Sequence, residues 1–219
     1  MQDFIEVTGM VLKAVPVLDT DKRITILTKE RGKIGAFARG AKRQGSRFMA
    51  STEPFIYGTF RLNEGRNAYN VSDIKVDQVF KEVREDLDCV FYGSYFTDVA
   101  DYYTRENNDE KEMLKLLYMS LKALTVDSIP NELVQYIFEM KTLVVNGEFP
   151  GVLAGHDLLD STVYTIQYVQ NAPIEKLYTF KVSDEVLAQL EQECAVYRNK
   201  YIGHNFKSLD ILKNCRLKN

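Results

Sequence analysis

The chain has 219 residues, 45% hydrophobic and 27% charged, with a formal net charge of −3, a balance that fits one or two globular domains with a substantial core. No apolar run approaches the roughly 20 residues of a membrane span, and Met1-Gln-Asp-Phe-Ile-Glu6 carries acids where a secretory signal carries basic residues. Cys89, Cys194 and Cys215 are scattered and odd in number, and His156 and His204 are the only histidines; neither a disulfide framework nor an ordinary zinc ligand set is expected.

From Phe4 the chain is β-branched and partly alternating, with Gly9 placed for a bulge or kink. Pro16 and Asp19-Thr-Asp21 make a turn, and Arg23–Thr28 reads as a second strand. Glu30-Arg-Gly-Lys33 has hairpin length, and Ile34–Ala38 continues as a third strand. Pro54 opens a fourth strand over 55–62, Asn63–Asn67 turns, and Ala68–Val76 forms a fifth. Five strands joined by short turns and one long connection predict a small closed barrel over 1–80, either an OB-fold or an SH3-like barrel.

The long connection is the feature that stands out. Between Asp21 and Ala50 nine residues are basic and two acidic, an excess of +7 in a chain of net −3. Concentrated positive charge of this kind points to a polyanion, nucleic acid first. Lys29, Arg31, Lys33, Arg39, Lys42, Arg43, Arg47, Arg61 and Arg66 supply cations for phosphates, and Phe37, Phe48, Tyr57, Phe60 and Tyr69 supply rings on which bases stack. Phe48, inside the basic segment, is the strongest ring candidate. The spacing Gly40-Ala-Lys-Arg-Gln-Gly45-Ser46 is wrong for a phosphate loop of the Walker type.

Beyond Lys81 the period becomes helical. Leu87, Val90, Phe91, Tyr95, Val99 and Tyr102 describe one helix over about 83–104, Met113 to Leu124 a second, and Leu133 to Val144 a third that stops at Asn146-Gly147. Ser161–Val169 alternates like a strand and Leu177–Val182 like its return, so a β-hairpin insert is predicted over about 158–182. Ser183, followed by Asp184 and Glu185, caps a last long helix. The region 81–219 carries 15 basic and 22 acidic residues against 13 and 9 in 1–80, which predicts two units with different partners. No nucleophile elbow, His-Glu-x-x-His helix or other catalytic constellation is present, so no enzymatic activity and no cofactor are expected.

Several of these stretches carry a resemblance. Val11-Leu-Lys-Ala14, Asp21 to Ile34, Ala38-Arg-Gly-Ala-Lys-Arg43 with Ser46-Arg-Phe48, then Glu53-Pro-Phe55, Arg84-Glu-Asp-Leu87 and Tyr92-Gly-Ser-Tyr95 resemble the RecO family of bacterial DNA repair proteins in the same order. Ser183-Asp-Glu-Val-Leu187 and Phe206-Lys-Ser-Leu209 resemble that family's last segments. The resemblance implies an α+β protein: an N-terminal five-stranded OB-fold barrel over 1–80, then a mainly α-helical domain over 81–219. It implies a recombination mediator that binds single-stranded and double-stranded DNA, anneals complementary strands, and acts with RecR to help RecA displace the single-strand-binding protein SSB. A cytoplasmic, nucleoid-associated protein is then expected.

Many members of that family carry four cysteines of a zinc ribbon after a stretch equivalent to Gly147-Glu-Phe-Pro150. Here no cysteine lies between Cys89 and Cys194, so the 158–182 hairpin is expected to be metal-free. The family also grips the acidic, hydrophobic tail of SSB, which calls for an apolar groove flanked by cations, with Lys111, Lys115, Lys122 and Lys141 as candidates. The alternative function is a stand-alone RNA- or DNA-binding regulator with a barrel head and a helical interaction domain.

Overall fold

The computed structural model describes residues 4–65 and 68–216. Two compact units form. One comprises the chain up to Lys81 together with Thr97–Leu114; the other comprises Glu82–Phe96 together with the chain from Lys115 onward.

The first unit is a closed barrel of β1 (Phe4–Val17), β2 (Asp21–Thr28), β3 (Gly32–Ala38), β4 (Ile56–Asn63) and β5 (Tyr69–Val79), ordered β1-β2-β3-β5-β4. Every neighbouring pair is antiparallel except β3 and β5, which run parallel where Ala36 meets Tyr69 and Phe37 meets Asn70. That five-stranded Greek key is the OB-fold. Alternation drives it: on β3, Ile34, Ala36 and Ala38 are buried while Lys33, Gly35 and Phe37 are partly exposed. The inward residues join Val7, Val11, Ile24, Ile26, Phe60 and Leu62 in one core, each large aliphatic or aromatic side chain contributing about 1.5–3 kcal/mol by burial. The irregularity expected at Gly9 falls instead between Val11 and Lys13, where the register with β2 shifts by a residue.

Residues 97–114 pack with the barrel. The Lys33 ammonium pairs with Asp101 Oδ1 at 2.9 Å and Lys13 with Asp98 at 3.3 Å. The backbone of the β2–β3 turn is stitched to the same segment, Lys33 N–H donating to the Arg105 carbonyl and Asn107 N–H to the Arg31 carbonyl.

Helices build the rest. After the short α1 (Phe48–Ser51) and α2 (Lys81–Glu85) come α3 (Leu87–Tyr103), α4 (Lys111–Ala123), α5 (Asn131–Val145), α6 (Asp160–Asn171), α7 (Asp184–Tyr197) and α8 (Lys207–Arg216). Helix α5 is buried without a break from Leu133 to Leu143, the mark of a central helix. Phe138 stacks on Phe96 with ring centroids 4.4 Å apart. Helix α7 starts as expected, the Ser183 hydroxyl accepting from Val186 N–H.

The β-hairpin expected over 158–182 is not formed. Residues 160–171 are helix α6, and a 3₁₀ turn at Ile174–Lys176 follows. Alternation of β-branched residues suggested a strand, but the buried positions Thr162, Thr165, Ile166 and Val169 fall at helical spacing. Tertiary contacts decide between the two periods. The Gln189 side-chain oxygen accepts from Leu159 N–H and from the Thr162 hydroxyl at the start of the helix. At its other end the buried Lys141 ammonium donates to the carbonyls of Val169, Gln170 and Ala172, at 3.1, 3.1 and 2.7 Å. A cation there satisfies the last carbonyls and faces the negative end of the helix dipole. Lys141→Met is therefore expected to destabilise the protein by about 2–3 kcal/mol, measured as a lower urea midpoint; an unchanged midpoint would show that water replaces the ammonium at no cost.

Candidate nucleic-acid interface

The connection between β3 and β4 is ordered by its own backbone and by the β1–β2 turn. Gly40 and Gly45 adopt φ of +67° and +76°, which reverse the chain at little steric cost. Lys42 N–H donates to the Thr20 carbonyl at 2.8 Å, Arg43 N–H to Gly40, and Ser46 N–H to Arg43. Gly40 N–H donates to Asp21 Oδ1 at 2.8 Å. That bond, then the Thr20 hydroxyl and the charges of Arg39 and Arg43, holds the Asp21 carboxyl below its usual range. Below this segment the nearly buried Lys22 ammonium donates to the Met49 carbonyl and pairs with Glu53, fixing α1 against the barrel.

A carboxyl whose folded-state pKa is depressed stabilises above its unfolded value, near 3.8, and loses that contribution as pH falls through the lower folded value. Protection of the Gly40 amide from hydrogen exchange is accordingly expected to fall as pH drops below that range. In Asp21→Asn it should be low at every pH. Equal protection in both proteins would remove Asp21 as the anchor.

The cations placed on this frame differ sharply in availability. Arg39, Lys42 and Arg43 are exposed, and among the described residues their side chains make no hydrogen bond or ion pair. Lys29 is likewise exposed, and Arg31 is partly covered. Arg47 is engaged, donating to the Ser72 carbonyl, pairing with Asp73 at 3.0 Å and lying 4.8 Å from the Phe48 ring centroid. Lys33 is held by Asp101. Arg61 lies over the Phe4 ring at 3.5 Å on β4, away from β2 and β3. Arg66 lies outside the described residues.

The rings sort as clearly. Phe60 is fully buried core, and Phe48 packs against the barrel core from the basic connection. Phe37 faces outward on β3, opposite Arg23 of β2. Leu18, 83% exposed with φ of +55°, tips the β1–β2 turn beside the cations. Three free cations, an outward ring and an outward guanidinium thus share the β2–β3 side of the barrel and the loops at its end. OB-folds receive nucleic acid on the β2–β3 face with the β1–β2 and β4–β5 loops; the three cations lie on the β3–β4 connection, which is bonded to the β1–β2 turn through Thr20 and Asp21.

The lysines proposed for a protein tail do not converge. Lys111 pairs with Asp109, Lys115 with Glu175, and Lys141 is buried at the end of α6; Lys122 is exposed on α4. An apolar groove of about 660 Å³ opens elsewhere in the helical unit, between α6 and the start of α7. Tyr164, Tyr168, Phe180 and Val186 line it, with Lys181 and Ser183 among its polar groups. Tyr164 is 68% exposed, and the Tyr168 hydroxyl is fixed by the Lys176 carbonyl. Reading residues 158–182 as a hairpin hid this groove, because its walls come from helix α6 packed beside Phe180–Val186 at the start of α7.

His156 Nδ1 is bonded to Glu193, and among the described residues no three His, Cys, Asp or Glu side chains gather to hold a metal. Among the described residues no helix is long and apolar enough to cross a membrane.

Comparison with known proteins agrees with the fold. Residues 1–80 match the family described as Recombination protein O N terminal, and residues 84–154 match Recombination protein O C terminal. The chain is 27% identical to the DNA repair protein RecO of Acetivibrio thermocellus over 96% of its length and 97% of the relative's. It is 34% identical to that of Bacillus pumilus over 67% of this chain and 57% of the relative, and 33% identical to that of Bacillus subtilis over 65% and 55%.

Proposed function

The chain belongs to the RecO family of DNA repair and recombination proteins, and from that premise we propose that it is a recombination mediator. It binds single-stranded DNA on the barrel, anneals complementary strands, and acts with RecR to let RecA load onto SSB-coated DNA. The observation that carries the DNA-binding part is the set of exposed cations Arg39, Lys42 and Arg43, held on an ordered connection that follows β3. Cations fixed in this way neutralise phosphates irrespective of sequence. Two strands whose charge is lowered approach each other with less repulsion, which is what annealing requires.

The SSB tail, acidic and hydrophobic, is assigned to the groove between α6 and α7. Its aromatic walls suit apolar side chains, and Lys181 suits a carboxylate. The test is annealing of complementary oligonucleotides coated with cognate SSB, with and without the SSB tail. Annealing is expected to be fast with the intact tail, slow without it, and slow with intact SSB when Tyr168→Ala and Lys181→Glu are combined. Annealing that ignores the tail would overturn the mediator reading and favour a stand-alone nucleic-acid-binding regulator.

A further inference from the structure

A second cavity, about 360 Å³, lies on the barrel unit itself. Arg23 of β2, Gly35 of β3, Glu64 and Gly65 of the β4–β5 turn, Tyr69 of β5 and Glu106 line it. Its composition is unusual for a surface that meets DNA, because two carboxylates stand in it beside one guanidinium. Among the described residues, the side chains of Arg23, Glu64 and Glu106 make no hydrogen bond or ion pair. The cavity is open above Arg23 because residue 35 has no side chain: a Cβ there would lie 3.5 Å from Arg23 Nη2.

The chemistry of the lining selects its ligand. Among the described lining residues two carboxylates outweigh one guanidinium, which disfavours a phosphate. A metal ion is disfavoured by the guanidinium. A neutral, planar group that offers paired donors on one edge and paired acceptors on another satisfies all three side chains. Among the four DNA bases, guanine does this. Its N1–H and exocyclic N2–H₂ are adjacent donors for a carboxylate, and its O6 and N7 are adjacent acceptors for an arginine fork. Cytosine, adenine and thymine interleave donor and acceptor on one edge and do not form two such bidentate pairs. Tyr69 adds an aromatic wall.

We propose that this cavity receives one unstacked guanine of the bound single strand, with Arg23 on its O6/N7 edge and Glu64 or Glu106 on its N1/N2 edge. The inference rests on the assignment of strand binding to the barrel and adds to it a single base-reading subsite within otherwise sequence-independent contacts. A strand held by Arg39, Lys42 and Arg43 reaches the cavity along the side of β2 and β3 that carries Phe37 and Arg23.

The test measures affinity of the full chain for an oligothymidine and for the same strand with one central guanine. The guanine strand is expected to bind about tenfold more tightly, the discrimination of one good bidentate pair. Replacing that guanine with inosine, which lacks the N2 amine, or with 7-deazaguanine, which lacks N7, should remove most of the advantage. In the protein, Gly35→Val fills the cavity without changing charge, and Glu64→Gln with Glu106→Gln removes the carboxylates; each should bring the ratio of the two affinities towards one. Equal affinity of the unaltered protein for both strands would overturn the guanine subsite while leaving strand binding intact. Failure to bind either strand would overturn both.

Discussion

Replacing Arg39, Lys42 and Arg43 together by alanine is expected to weaken binding of single-stranded DNA by about two orders of magnitude at low salt, for every sequence alike. Each cation that neutralises a phosphate contributes about 0.7 to the slope of log affinity against log salt on a single strand. Losing three should therefore flatten that slope by about 2. The three are chosen because they are exposed and unpaired among the described residues, on a connection whose amides are bonded to Thr20, Asp21, Gly40 and Arg43. Removing them empties no core position, so thermal stability should hold. Arg47→Ala is the internal contrast. Its guanidinium is already shared between Asp73, the Ser72 carbonyl and the Phe48 ring, so its loss should change the salt slope little. Salt titration by fluorescence anisotropy reads both. Unchanged affinity of the triple variant at low salt would remove the connection from the interface.

What could be read from sequence divides along the range of the interactions. The barrel was legible because strands such as β3 carry their own alternation and the β2–β3 and β4–β5 turns their own glycines, so Ile34, Ala36 and Ala38 declare the inward face of β3 locally. The basic connection was legible from charge alone. Which cations remain available was not, because their partners are remote. Lys33 finds Asp101 across 68 residues, Arg47 finds Asp73, and Lys141 finds the carbonyls at 169, 170 and 172.

Helix α6 fell between two periods. Residues 161–169 read as an alternating strand, while Thr162, Thr165, Ile166 and Val169 repeat at helical spacing, and only Lys141 and Gln189, from α5 and α7, decide the matter. The cavity beside Gly35 is the extreme case. Arg23, Glu64 and Glu106 come from three parts of the chain with no shared local pattern.

Arg198→Ala is expected to destabilise the helical unit by about 3–5 kcal/mol, because it leaves a carboxylate buried without its counter-charge. Glu139, on the central helix α5, is 2% exposed. Its Oε1 accepts from the Tyr95 hydroxyl at 2.9 Å and from Gln135 at 2.7 Å, and its Oε2 is bonded to the Arg198 guanidinium. Burial, with the Glu139 charge beside it, holds the Tyr95 hydroxyl well above its ordinary pKa, so Tyr95 remains a donor throughout the neutral range. Gln135 in turn accepts from Arg216 at 2.9 Å, which ties α8 into the same network. A melting point lower by roughly 10 °C follows for a chain of this length.

Pairing the change with its complement separates a lost attraction from a stranded charge. In Arg198→Met combined with Glu139→Gln, the amide oxygen still accepts from Tyr95 and no ion is left unpaired, so most of the stability should return. Thermal unfolding followed by circular dichroism measures both variants. A loss below about 1 kcal/mol in Arg198→Ala would mean that water reaches Glu139 and that the ion pair is not what holds α5 and the π-helical turn at Arg198–Ile202 together.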